Sequence, residues 1–203
     1  MINRRVILVF ILFMLSASVV QAADNEYFSI FGVSLRESRQ SVTAKFKKKK
    51  IHSIYKEDTS YIVYPQTLTK SECTDFALHF YEDMVSVITC TIKMNNQYLY
   101  VDRYYDILAI MIDKYGEPSD ESEIPQWLLD SGVNIDNSYL STFLMQGQVK
   151  LINIWYFSDV RIVLNLSPHD SEDYTNSVEP ILIGYADPDL YNKQKDIYHG
   201  NDF

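Results

Sequence analysis

The chain has 203 residues, with 27 Asp and Glu against 18 Lys and Arg and a formal charge of −9. So acidic a chain repels phosphate backbones, which argues against nucleic acid as a partner. Its length suits one domain or two small ones, and a hydrophobic share of 47% is ample for a core.

The first residues are basic (Arg4, Arg5), Val6 to Leu15 is apolar throughout, and Ser16-Ala-Ser-Val-Val-Gln-Ala22 is a small-residue exit. That order is the pattern of a Sec signal peptide over residues 1–22, cleaved after Ala22. A membrane anchor is the competing reading, but Val6 to Val20 falls short of the ~20 residues that span a bilayer. No stable membrane insertion is expected after cleavage. No Cys follows the apolar run, so a lipoprotein is not indicated, and the expected location is periplasmic or extracellular. Loss of Arg4 and Arg5 with the leader takes the charge from −9 to −11.

Tyr27 to Val33 reads as a short strand broken by Gly32. Ser34-Leu-Arg-Glu37 has capping-box spacing, and Ser38 is a second candidate N-cap. A helix follows from Arg39 to about Lys49, with Val42 and Phe46 on one face. It ends in a basic cluster, Lys45 and Lys47, Lys48, Lys49 and Lys50. Cations there suit the helix dipole, and an anion or polyanion site is the sharper reading of Lys47–Lys50. Ile51–Lys56 and Tyr61–Thr69 read as strands around the turn Glu57–Ser60, with Pro65 pushing the second toward an edge.

Cys73–Tyr81 and Met84–Lys93 form a hairpin around Glu82-Asp83. Phe76, Leu78 and Phe80 share one face, matched by Val85, Val87, Thr89 and Thr91 on the return strand. A two-residue turn sets Asp75 opposite Cys90 and leaves Cys73 diagonal to it. A four-residue loop over Phe80–Asp83 sets the two cysteines face to face. Cys73 and Cys90 are the two cysteines of the chain, and in an oxidising compartment such a pair is expected to bond. Zinc is not expected, because two Cys without a nearby His pair cannot supply four ligands.

Tyr98–Val101 reads as a strand continuation, and Asp102 as the cap of a helix over Arg103–Tyr115. Its stripe is Tyr104, Ile107, Leu108, Met111, Ile112 and Tyr115, and Gly116 and Pro118 supply the stop. Ser119–Asn137 is polar around an apolar island, Ile124-Pro-Gln-Trp-Leu-Leu129, and reads as an irregular insertion and a candidate binding loop centred on Trp127. Ser138–Gln146 has Tyr139, Leu140, Phe143 and Leu144 in helical register, with a strand as the alternative. Leu151–Phe157 and Val160–Ser167 flank Ser158-Asp159 as an apolar hairpin, with Leu151, Asn153, Trp155 and Phe157 on the buried face. Ile181, Ile183 and Tyr185 alternate as a last strand, and the residues from Asn192 read as a frayed polar tail. The order is helix then strands, twice, over 23–96 and 97–191, with a polar tail at 192–203. The expected fold class is α+β, an antiparallel sheet with two main helices on one face.

Phe31-Gly-Val-Ser-Leu35 before a capped helix, Asp113-Lys-Tyr-Gly-Glu-Pro118 and the late Ile-Gly-Tyr-Ala-Asp187 together resemble a group of secreted bacterial proteins. The arrangement is similar to the tandem helix-plus-sheet repeats of β-lactamase inhibitor protein and of small outer-membrane assembly factors. Lys48–Lys50 departs from that pattern, filling the place where a glycine usually ends the first helix. The resemblance implies a binding or scaffold fold and carries over no catalytic residue and no inhibitor contact.

No Gly-rich phosphate loop, HExxH, CxxC or GxSxG is present, and no motif asks for a cofactor. His52, His79, His169 and His199 are dispersed, and His79 sits mid-strand opposite Ser86. His169, Asp170, Glu172 and Asp173 make a cluster of calcium-type ligands without EF-hand spacing, so a solvated acidic loop is the plainer reading. The sixteen tyrosines suit sheet packing, with sugar stacking as the sharper reading. These observations favour a non-enzymatic binding or scaffold module that engages a protein or an envelope component. A small hydrolase acting on glycans through two dispersed carboxylates is the alternative.

Overall fold

The computed structural model describes residues 29–51, 54–56, 60–63, 73–130, 136–168 and 178–200, with backbone alone for 54–56, 60–63 and 195–200. The leader, Pro65 and the His169–Asp173 cluster lie outside the described residues.

Ser29–Ile30 (β1) and Val33–Ser34 (β2) form a minimal hairpin whose turn, Phe31-Gly32, has φ of 54° and 76°. Helix α1 spans Arg39–Lys48 and is capped by Ser38, which accepts from Ser41 N. Glu37 accepts from Ser34 N, so the capping-box residues do interact, one turn ahead of the helix proper. Val42 and Phe46 are buried, as their spacing predicts. The helix ends in a Schellman motif: Lys50 N donates to Lys47 O and Ile51 N to Phe46 O. Lys50 takes the left-handed position, φ 55°, where glycine is the residue without steric cost.

Ile54–Lys56 (β3) and Ser60–Val63 (β4) lead to Asp75–Tyr81 (β5) and Met84–Ile92 (β6). The β5–β6 turn is the two-residue form, with Glu82 and Asp83 both at positive φ, 47° and 62°, and Tyr81 faces Met84. The expected register then fails by one. His79 pairs with Val87 and Phe80 with Val85, leaving Ser86 as a bulge. The slip exchanges the faces of β6. Ile88, Cys90 and Ile92 enter the core in place of Val87, Thr89 and Thr91, and His79 faces Val87 instead of Ser86. Phe76 now faces Cys90. Cys73, just before β5, reaches Cys90 from outside the ladder, and the two are disulfide-bonded with Cα atoms 5.8 Å apart.

Tyr98 does not continue a strand. A 3₁₀ turn at Gln97–Leu99, capped by Asn96, runs directly into α2, Tyr100–Tyr115. Asp102 lies in the first turn of α2 rather than at its cap, still the favoured end for an anion. The predicted stripe faces the core, with Tyr104, Ile107 and Met111 buried and Leu108, Ile112 and Tyr115 packed against it. Gly116, φ 81°, closes the helix by donating to Ile112 O.

Ser119–Asp120 (β7) lies along the edge of Leu151–Tyr156 (β8). Between them come Gln126–Leu129 (α3) and Asn137–Met145 (α4). Arg161–Leu166 (β9) and Ile181–Ala186 (β10) follow. The β8–β9 hairpin has the predicted register, with Leu151 facing Leu166 and Trp155 facing Ile162. Its polar core residue, Asn153, is buried at 6% exposure and accepts from Tyr104 Oη at 2.8 Å. Burial above all, with Tyr105 and Asp120 nearby, pushes the Tyr104 phenol well above its usual range, so it stays a neutral donor.

The residues expected to fray form a helix instead, α5, Pro188–Gly200. Asp187 is its cap, accepting from Asp189 N at 3.0 Å and Leu190 N at 2.9 Å. Arg36 Nε donates to the other oxygen of Asp187. Burial alone would raise the Asp187 carboxyl, but the Arg36 hydrogen bond and the two amides hold it below the usual carboxylate range. The helix then folds back against β5 and β6, where Gln194 Oε1 accepts from Ser86 Oγ.

The fold is α+β. Eight described strands make one antiparallel sheet in the order β3-β4-β5-β6-β10-β9-β8-β7, and β1 and β2 stand apart. Each half of the chain runs a helix and then four strands from a sheet edge toward the centre, where β6 and β10 pair. The core lies between one face of this sheet and α1, α2 and α4. No described helix is long and apolar enough to cross a membrane.

Candidate binding surface

The sequence expectation centred on Trp127 can be built up from its two short helices. After β7 the chain stays against β8 through the reciprocal bonds of Glu123 and Lys150, 2.8 and 3.0 Å. Pro125 then opens α3, a single turn. One turn can bury one face, and Leu128 takes it at 2% exposure. Trp127 and Leu129 are consequently left 57% and 54% exposed. In α4, Asp136 caps by accepting from Tyr139 N. Leu140 and Leu144 fill the core face, and Ser141 is buried with its hydroxyl on Asn137 O and Tyr98 O.

That leaves Tyr139 52% exposed and Phe143 at the boundary. Phe143 holds both outer rings, with the Trp127 centroid at 5.5 Å, nearly perpendicular, and the Tyr139 centroid at 5.7 Å. The Trp127–Phe143 pair is edge-on and the Tyr139–Phe143 pair tilted; such contacts are favourable for aromatic pairs, so the rings are positioned although two of them are wet.

The surroundings are anionic. From Tyr115 to Val149 the sequence has no Lys, Arg or His, and it carries Glu117, Asp120, Glu121, Glu123, Asp130 and Asp136. Glu123 lies 3.8 Å from Lys150. Asp130 accepts from Gln126 Nε2 at 2.9 Å, and Asp102 of α2 accepts from Asn137 Nδ2 at 2.6 Å. With Asp136 on a backbone amide, these three carboxylates are held by neutral donors.

The lysine cluster has a different character. Lys45 Nζ donates to Gly32 O and to Glu37, each at 2.8 Å, and Lys49 Nζ donates to Phe31 O at 2.8 Å. These two clamp the β1–β2 turn, whose Phe31 ring packs edge-on against Phe76 at 4.9 Å. Lys47, Lys48 and Lys50 remain exposed on the helix end. The structure thus joins Trp127 to Tyr139 and Phe143 in one surface, and places the lysines at the other half of the chain.

The sheet face turned away from the core is the other open region. One row across it reads Ala77, Thr89, Gly184, Val163, Ile154, and a side chain added at Gly184 would meet no atom within 4 Å. At one end this face leads into a cleft of about 1170 Å³ lined by Asp75, Lys93, Glu123, Lys150 and Glu179 among others. Asp75 lies 3.9 Å from Lys93.

Tyr139 and Phe143 belong to the surface, but helical register alone casts them as core. The signal was the doubled i, i+4 pair: Leu140 with Leu144 and Tyr139 with Phe143 are more apolar surface than a nine-residue helix buries on one side. The cation-free stretch is a second signal. Compared with protein-family models, curated proteins and solved structures, the chain matches none of them.

Proposed function

We propose that this is an exported binding protein, periplasmic or extracellular, which engages a protein or envelope component through the α3–α4 surface and catalyses no reaction on it. The observation that carries this reading is the pair of exposed rings, Trp127 and Tyr139, held in place by Phe143. Ordered aromatic surface left in water is characteristic of interface centres. The leader pattern at 1–22 and the Cys73–Cys90 disulfide support an oxidising compartment outside the cytoplasm. The resemblance to secreted helix-plus-sheet repeat proteins points the same way.

The test is capture from the host's own extracytoplasmic extract with oxidised 23–203 as bait. A saturable protein partner that Trp127→Ala no longer retains is the expected result. A partner held equally by that variant removes the surface from the proposal, and an intact mass that retains Met1 removes export. The glycan-hydrolase reading attaches to the cleft, because Asp75, Glu123 and Glu179 all line it. It predicts glycan cleavage by the mature chain that Glu179→Gln abolishes.

A further inference from the structure

At three other places in this molecule, an aromatic ring carries one of the chain's own cations. The Arg39 guanidinium lies 4.2 Å from the Phe80 ring centre, Arg161 lies 5.2 Å from Tyr156, and Lys114 Nζ lies 4.8 Å from Tyr115. Trp127 and Tyr139 are more than half exposed, and among the described residues no Lys or Arg stacks on them. The local sequence has none to offer between Lys114 and Lys150. The same is true of the carboxylates. Asp102, Asp130 and Asp136 accept from an amide side chain or the backbone, and no described cation pairs with them. Ring faces attract cations through their quadrupole, indole most strongly, and carboxylates at the rim add attraction and orientation.

We propose that the α3–α4 surface docks a basic segment of a partner protein, with Arg or Lys side chains stacked on Trp127 and Tyr139 and paired with Asp102 and Asp130. This rests on the binding reading above and names its partner class. The charge complementarity is one-sided: a chain that is acidic overall, with its longest cation-free stretch around two exposed, packed rings, repels anionic ligands from this surface and draws cationic ones. Arginine suits the site best, because its planar guanidinium stacks on a ring while its edge donates to a carboxylate.

The experiment is a fluorescence-anisotropy titration of oxidised 23–203 against a labelled peptide of alternating arginine and leucine, with a glutamate–leucine peptide of equal length as control. The arginine peptide should bind saturably and the glutamate peptide should not. Raising salt from about 50 to 300 mM should weaken binding by roughly tenfold, since exposed charges are then screened. Trp127→Ala, and separately Asp102→Asn with Asp130→Asn, should each weaken it at least about fivefold. The amide replacements keep the hydrogen-bond acceptors, so this second variant tests charge without disturbing the helices. No arginine-peptide binding, equal binding by the wild type and both variants, or binding of the glutamate peptide overturns the proposal. If a captured partner is lost with Trp127→Ala while the arginine peptide fails to bind, the cationic class falls and the binding surface stands. If neither binds, both fall. Self-association that Trp127→Ala abolishes would place a second copy's Lys47–Lys50 end on the surface and overturn the assignment to a separate protein.

Discussion

The end of α1 and the α3–α4 surface are both exposed and both prominent in the sequence, one for its lysines and one for its tryptophan. They differ in whether their chemistry is already engaged. At α1, Lys45 and Lys49 donate to the carbonyls of Gly32 and Phe31, so part of the cluster holds a turn of the same chain. At α3–α4, Trp127 and Tyr139 each make one ring contact among the described residues, to Phe143, and are otherwise more than half exposed. The lesson is that a run of charge in a sequence reports its own carbonyl partners as readily as an outside ligand. An exposed ring without a covering cation has no such internal explanation.

The largest expected contrast sets Phe46→Ala against Trp127→Ala. Phe46 is 2% exposed beneath the lysine end, and its loss should lower the unfolding free energy by about 3–5 kcal/mol. Trp127 retains one ring contact and should cost about 1 kcal/mol or less. Urea unfolding of the two variants measures both. Equal losses would make Trp127 a core residue and end the comparison.

The next effect tests engaged charge at its most buried. Asp187, 1% exposed, both caps α5 and accepts from Arg36. Asp187→Asn should cost about 1–3 kcal/mol at neutral pH. Because the folded carboxyl is held below its usual range, its contribution is complete above about pH 4 and is lost as pH falls through the lower folded value. Stability curves from pH 6 to pH 2 should therefore converge for the wild type and the variant at the acid end. A constant gap across that range would mean that the ionised form is not what stabilises.

The smallest effect sharpens the account of the lysine end itself. Lys50→Gly relieves a left-handed residue at φ 55° and should raise stability by about 1 kcal/mol. Lys49→Ala removes the bond to Phe31 O and should lower it by about 0.5–1 kcal/mol. Opposite signs for neighbouring lysines, read from thermal midpoints, would show that the cluster is two structural devices rather than one charged patch.

What could be read from the sequence was local. The β8–β9 hairpin, the stripe of α2 and the stop at Gly116 each depend on spacing within one element, and each matches the structure. The face of β6 could not be read, because the bulge at Ser86 has partners from far along the chain. Asp187 N donates to Ser86 O, and Gln194, 108 residues away, accepts from its hydroxyl. Asn153 is polar on an apolar face, and its donor, Tyr104, lies 49 residues away and is set by the packing of α2 on the sheet. The start of helix α5 is legible: Asp187-Pro-Asp189 is a cap, a proline in the first turn and an acidic residue beside it, but the polar residues that follow have no apolar stripe to extend it. In the candidate surface, Trp127 was visible as an aromatic in an irregular stretch. Its ring partners were not, because their exposure depends on how little of α3 and α4 the core can take.

The pairing of β6 with β10 bears on the order in which the sheet can be completed. The strand at its centre, Ile181–Ala186, is the last of the described strands in chain order. Until it arrives, β6 and β9 each present an open edge with a full row of unpaired amides and carbonyls. Closing that gap joins segments that are distant in sequence, which slows folding. A chain that stops short of Ile181 would keep both edges, so early termination should yield aggregates rather than a smaller folded protein.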